Sequence, residues 1–265
     1  MNDRTRRWLS WAAVAVIAAI ACALLGRWQF SRYETKANNV ALVQENFNSE
    51  PGVLGDLLDD GSFDPGREWM PVLVTGEYVG QPVILPQRGI PGQAGDHVLS
   101  MFVTDEETPE TLVIDRGWYP VNQAPADLTA PPGTVSVVGR ARPAEPTSPR
   151  GVRDHQVFAV DAAQVLEAQD PLQTPNVQAS LYLMAAEGEP GQEDLGAFPE
   201  PAADLGNHLS YAFQWWIFSA GAFVGLGVVI RRDIKSGSAA PPRKQRVSRD
   251  AAEEDALIEA QLSGE

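Results

Sequence analysis

Two uncharged apolar runs, residues 8–25 and 212–230, stand almost at the two ends of this chain. At about 1.5 Å rise per residue they make helices of roughly 27–28 Å, close to the ~30 Å hydrocarbon core of a bilayer. The long stretch between them is polar, acidic and rich in Gly and Pro. The pattern predicts an α+β membrane protein, in which two transmembrane helices flank one β-rich extracytoplasmic domain. The expected parts are a cytoplasmic N-terminus (1–7), a first span (8–30), the outer domain (31–207), a second span (208–230) and a disordered cytoplasmic tail (231–265).

Basic residues near the span ends set the orientation. Arg4, Arg6 and Arg7 precede the first span, and Arg231, Arg232, Lys235, Arg243, Lys244, Arg246 and Arg249 follow the second. Only Arg27, Arg32 and Lys36 lie near the other ends. An excess of Lys and Arg marks the cytoplasmic side, so both termini are expected inside and the large domain outside a cytoplasmic membrane.

Charge divides the same way. Residues 37–207 carry 7 Arg, no Lys and 26 Asp plus Glu, a net of −19. A domain this acidic is a poor candidate for nucleic acid or anionic lipid, and its field either keeps it off the membrane surface or favours a basic partner. The one cysteine, Cys22, lies inside the first run. The outer domain therefore has neither disulfides nor thiolate metal ligands, and an ordinary hydrophobic core must hold it.

A cleaved signal peptide or a lipoprotein anchor is the alternative for the N-terminus. Ala21-Cys22-Ala23 fits a cleavage site loosely, and Ala19-Ile20-Ala21-Cys22 is a poor lipid box. The apolar run continues past both through Leu24 and Leu25 and fills a bilayer, which favours a retained anchor.

The first helix is expected to continue beyond the membrane. Leu25, Trp28, Gln29 and Arg32 share one helical face, and no Gly or Pro interrupts residues 27–50 before Pro51-Gly52. Short β-type runs between turn signals then follow, at 70–79, 82–88, 97–104, 111–118, 134–142, 156–160 and 177–186, with one helical piece at 162–169. This spacing predicts an antiparallel sandwich or small barrel. Residues 143–149 and the acidic stretch 188–204 read as loops. In the tail, residues 251–262 form a candidate amphipathic helix.

Chemistry-bearing motifs are few. The histidines are His97, His155 and His208, and none has a second His at i+3 or i+4. No phosphate loop, nucleophile elbow or Ser-x-x-Lys element occurs. Asp96-His97 and Asp154-His155 are adjacent pairs that point different ways, and they read as solvated loop residues. His208 stands at the outer start of the second span, where a helix places His208, Tyr211, Ala212 and Trp215 on one face beside Gln214. An imidazole over aromatic walls suits a flat, partly apolar ligand such as a haem. The competing reading is an Asn207 N-cap followed by an interfacial aromatic belt.

Small residues at Ala15, Ala19 and Ala23 and at Gly221 and Gly225 offer faces for close helix packing. Pairing of the two spans would bring Trp28, Gln29 and Arg32 to the depth of His208. In mid-domain, Asp115-Arg116-Gly117-Trp118-Tyr119-Pro120 ends an apolar strand. Glycine there permits a turn or bulge and Pro120 stops the ladder; either Arg116 and Trp118 form a partner-facing patch, or Asp115 and Arg116 are paired turn residues.

Three of these segments together resemble the Surfeit-locus family of cytochrome c oxidase assembly factors. They are Leu25-Gly26-Arg27-Trp28-Gln29-Phe30-Ser31-Arg32, Val113-Ile114-Asp115-Arg116-Gly117-Trp118-Tyr119-Pro120 and Asn207-His208-Leu209-Ser210-Tyr211-Ala212-Phe213-Gln214-Trp215. Order, spacing and the two-span layout agree from about residue 8 to 233, with the acidic loop and the tail outside the resemblance. The resemblance implies a non-catalytic factor that holds or presents haem a to the oxidase catalytic subunit, working with other assembly factors at the membrane lipid. It implies His208 as the haem contact, with Tyr211, Trp215, Trp28, Gln29 and Arg32 shaping the site. Arg116, Gly117 and Trp118 become candidates for partner docking, and no catalytic or metal-ligating residues are implied. A membrane-tethered protein-binding scaffold without cofactor is the alternative, and an exported hydrolase using His97 and His155 is a third.

Overall fold

The computed structural model describes residues 3–169 and 172–237. The expected tail helix at 251–262 and most of the tail lie outside the described residues. The chain divides into two compact units: a helical one, made of the residues up to Ser31 with those from Asn207 onward, and a second one, Arg32–Gly206.

Two long helices frame the sequence, α1 (Asp3–Asn46) and, near the other end, α3 (His208–Gly237). Both are long and apolar enough to cross a membrane. α1 has no proline and runs beyond its apolar part, as the face shared by Leu25, Trp28, Gln29 and Arg32 predicts. It stops four residues before Pro51-Gly52. Ser49 Oγ donates to the Asn46 carbonyl, and the Asn46 amide donates to the Gly66 and Glu68 carbonyls at 2.9 Å each. The Ser49 bond satisfies a carbonyl that the helix end leaves open, and the Asn46 side chain ties that end to the loop at 66–68.

In the second unit, a small hairpin comes first: β1 (Leu58–Asp59) and β2 (Ser62–Phe63), joined by Asp60-Gly61, both at positive φ. An Asp-Gly pair suits such a turn, because its two central residues must be left-handed. Five strands then form a closed barrel: β3 (Pro71–Leu85), β4 (Gly95–Thr104), β5 (Thr111–Pro120), β6 (Thr134–Pro143) and, after α2 (Ala162–Glu167), β7 (Leu181–Ala185). Their order is β3-β4-β5-β7-β6, with β6 closing on β3. Of the two predicted architectures, the barrel is the one found. It is not wholly antiparallel, because β7 lies parallel to β5.

Alternation along the strands makes two cores. Val72, Val74, Phe102, Leu112, Ile114, Val137, Leu181 and Leu183 form one, together with Leu54, Leu57 and Phe63. The opposite faces of the same strands, with Leu99, Met101, Val113 and Tyr182, pack under Val157, Val160, Ala162 and Val165. Asp161 caps α2 by accepting from Ala163 N, and Thr147 holds that carboxylate from the other side.

Three strand expectations are corrected. Residues 70–79 and 82–88 are one strand, β3, which crosses a bulge between Val79 and Val83. Gly80 takes φ +75° there, and the Gln169 amide clamps the Gln81 backbone N–H at 2.6 Å. Pro82, which has no N–H, is tolerated because a bulge interrupts the ladder. Residues 156–160 form no strand: Gln156 makes isolated bridges to Ile84 and Arg153, and Val157 and Val160 cover the barrel. The run expected at 177–186 is a strand only over Leu181–Ala185.

Candidate functional site

Within the helical unit α1 and α3 run antiparallel, and their contacts descend in a regular series. Gln29 Oε1 lies 2.9 Å from His208 Nδ1. About one turn lower, the Trp216 indole lies against Gly26, where an added Cβ would come within 2.4 Å of its Nε1. Phe30 and Phe213 flank that indole at 5.8 and 5.6 Å between ring centroids. Ser219 Oγ then donates to the Ala19 carbonyl at 2.9 Å, and both Ala19 and Ala212 are buried. At the far end Asp233 accepts from Trp8 Nε1 and Arg7 at 2.8 Å and from Arg4 Nε at 3.1 Å. Together they hold its carboxyl below the ordinary value, the Trp8 bond most of all.

The chemistry of the upper contact follows from its atoms. An amide oxygen only accepts, so His208 Nδ1 carries the proton and donates it. The Nε2 atom of the neutral ring then holds its lone pair, and His208 forms no other hydrogen bond among the described residues. An imidazole in this form has the donor atom that an axial haem ligand requires. Trp28 and Tyr211 are 55% and 50% exposed, and Trp215 is half-buried against Phe218. Tyr211 and Trp215 thus follow His208 along α3 and Trp28 adjoins Gln29 in α1, and none of them encloses the imidazole. Arg32 belongs to the second unit and is exposed. Lower down the seam, Trp11, Ala15, Ala18, Ala222, Leu226 and Val229 line an apolar furrow of about 510 Å³.

Sequence reasoning found Gln29 and His208 but missed Gly26 and Trp216, whose complementary shapes are invisible to composition. The Gly221 and Gly225 pair is not part of this seam, since nothing lies within 4 Å of where their Cβ atoms would stand. The alanine set supplies the seam instead, through Ala19.

The mid-domain motif lies in β5. Val98 pairs with Gly117 and Leu99 with Asp115, so Arg116 is the extra residue of a bulge. As on any strand, neighbouring side chains here face opposite ways. Asp115 Oδ2 meets His97 Nδ1 at 2.7 Å, while Arg116 reaches Ser100 Oγ at 3.3 Å and the Leu128 carbonyl at 2.7 Å, its guanidinium 5.8 Å from the Tyr78 ring. Burial pushes the Asp115 carboxyl up, opposed by His97, and lowers Arg116, opposed chiefly by Tyr78.

This placement corrects several expectations. Asp115 and Arg116 lie within β5 and are not paired turn residues, and Arg116 and Trp118, 2% and 6% exposed, form no open patch in this structure. His97 is buried and bonded to a residue 18 positions away, not a solvated loop residue. His155 does lie exposed in a loop, with Nδ1 3.0 Å from the Ala168 carbonyl. The acidic stretch 188–204 packs onto the motif: Gly196 exchanges two backbone bonds with Trp118, Gln192 donates to the Arg116 carbonyl, and Phe198 stacks on His97 at 4.8 Å. Gly117, at φ +153°, is required here, because a Cβ would stand 2.8 Å from the Gly196 carbonyl oxygen.

A second cavity, about 350 Å³, lies in the barrel-bearing unit between the outer part of α1 and Trp69. Trp69 takes φ +73°, and the Arg142 guanidinium stacks 3.7 Å above its ring.

The model of the SURF1 family matches residues 16–220, a range that includes the acidic stretch as well as the three motifs. An uncharacterized SURF1-like protein of Mycobacterium tuberculosis is 29% identical over 263 residues, covering 93% of this chain and 94% of the relative. Its counterpart in Mycobacterium bovis matches equally. A SURF1-like protein of Monosiga brevicollis is 26% identical over 89% of this chain and 94% of its own length. The chain belongs to the SURF1 family, which is linked to cytochrome oxidase assembly.

Proposed function

We propose that this chain is an assembly factor for the haem a-containing cytochrome c oxidase, holding haem a through His208 for delivery to the catalytic subunit. α1 and α3 cross the cytoplasmic membrane, both termini are cytoplasmic and the barrel is outside. The basic ends of both helices support that orientation. The observation that carries the reading is the Gln29–His208 contact. It joins two of the three family segments at one depth and leaves Nε2 with its lone pair at the lip of the apolar seam. A bound haem would supply a redox-active, Lewis-acidic iron, which His208 would hold. The chain supplies the imidazole, an aromatic border of Trp28, Tyr211 and Trp215, and a lipid-facing seam suited to an apolar ligand. Trp28 and Tyr211, being exposed, are also placed for lateral contact with the oxidase catalytic subunit or other assembly factors.

Deleting the gene and measuring oxidase tests the role. The expected outcome is a membrane fraction with reduced haem a content and oxidase activity, restored by the parent chain and not by His208→Ala. Normal haem a and activity in the deletion strain would refute it.

A further inference from the structure

We infer that Gln29 is a positioning residue for the His208 imidazole: it fixes Nε2 as the ligating atom and sets how strongly that atom donates. The inference rests on the haem reading above and adds to it an assignment for one side chain.

Geometry comes first. Gln29 Oε1 and His208 Nδ1 are 2.9 Å apart, a normal hydrogen-bond length, and both residues are partly buried. Neither end of the contact is free to drift. Gln29 lies one turn above Gly26, where the Trp216 indole is seated against the bare backbone, and His208 lies one turn above the buried Ala212. The depth of the two helices is thus set just below the bond. An imidazole on an otherwise unconstrained helix start would turn about χ1 and χ2 and exchange tautomers. Here one acceptor selects the Nδ1–H tautomer and one ring orientation.

The consequence for a ligand is electronic as well as steric. Histidines that bind metals usually donate the second ring N–H to an acceptor, which fixes the ring and raises its basicity; losing that acceptor typically costs 10–100-fold in affinity. A neutral amide is a moderate acceptor, and a carboxylate in its place would pull the Nδ1 proton harder. That makes Nε2 a stronger donor and favours ferric over ferrous iron. The same substitution preserves the length and the acceptor atom, so a purely steric role for Gln29 would not respond to it.

The test uses the full chain in mild detergent with hemin as the probe, read by Soret titration and by the midpoint potential of the bound iron. Gln29→Leu should weaken hemin binding 10–100-fold. Gln29→Glu should bind within several-fold of the parent and shift the midpoint potential negative, by about 59 mV for each tenfold preference gained by the ferric form. If both variants match the parent in affinity and potential while His208→Ala abolishes binding, the assignment of Gln29 is overturned and the haem reading survives. Equal losses in both variants without a change in potential would also overturn it, since the carboxylate should rescue. If hemin binds His208→Ala as it binds the parent, the haem reading itself fails.

Discussion

Asp115 is buried in the barrel wall with one oxygen on His97, while its Oδ1 and His97 Nε2 have no hydrogen-bond partner among the described residues. Burial raises its carboxyl above the ordinary value of about 3.9, against the opposing pull of His97. A carboxyl raised in the fold contributes stability that is complete below the unfolded value and is lost as pH rises through the folded one. At neutral pH the group therefore costs stability. Asp115→Asn keeps an oxygen to accept from His97 and removes the buried charge. Thermal unfolding in mild detergent should find this variant at least as stable as the parent at pH 7, with the advantage vanishing toward pH 4. A large loss at pH 7 would contradict the burial argument. The His97–Asp115 bond also shows where residue-by-residue reading stops. Asp96-His97 is adjacent in sequence, yet neighbours on a strand face opposite ways. The true partner lies across the ladder, and only the register of β4 on β5 brings it there. Gln29 and His208 were readable because each stands at the same depth of an apolar run whose length a bilayer fixes.

Among the elements, the α1–α3 seam depends on one missing side chain. A Cβ on Gly26 would collide with the Trp216 ring, whereas Gly221 and Gly225 face open space. Gly26→Val should lower stability by about 1–3 kcal/mol, the usual range for overpacking. Gly221→Val should stay within about 0.5 kcal/mol of the parent, as expected of a site that touches nothing. The reverse ranking in a detergent melt would mean that the helices pair through another face. The strap over β5 makes a parallel case. A Cβ on Gly196 would stand 2.6 Å from Trp118 Nε1, so Gly196→Ala should speed amide exchange across 192–198. Unchanged protection would show that the strap is not held by Trp118. Element boundaries were legible where turn residues truly end strands, as between the runs at 97–104 and 111–118, which are β4 and β5. Gly80 and Pro82 misled because the same residue types also mark bulges, and β3 runs through one. The parallel β5–β7 pair left no local trace, since strand order is decided by packing between segments distant in sequence. The bulge at Gly117 was readable, but the side chains it buries were not, because burial there comes from the acidic stretch folding back.

In the whole molecule, the proposed ligand chemistry belongs to the helical unit, and the barrel carries its own buried motif, held by the acidic stretch at 192–198. The claim that matters most is that His208 is an axial haem ligand. It is tested most directly by the visible spectrum of the full chain, purified in mild detergent from cells that make haem a. The expected result is a Soret band and the α-band of haem a in the parent, both lost in a folded His208→Ala variant. Colourless parent protein from such cells, or a variant with an unchanged spectrum, would contradict the claim.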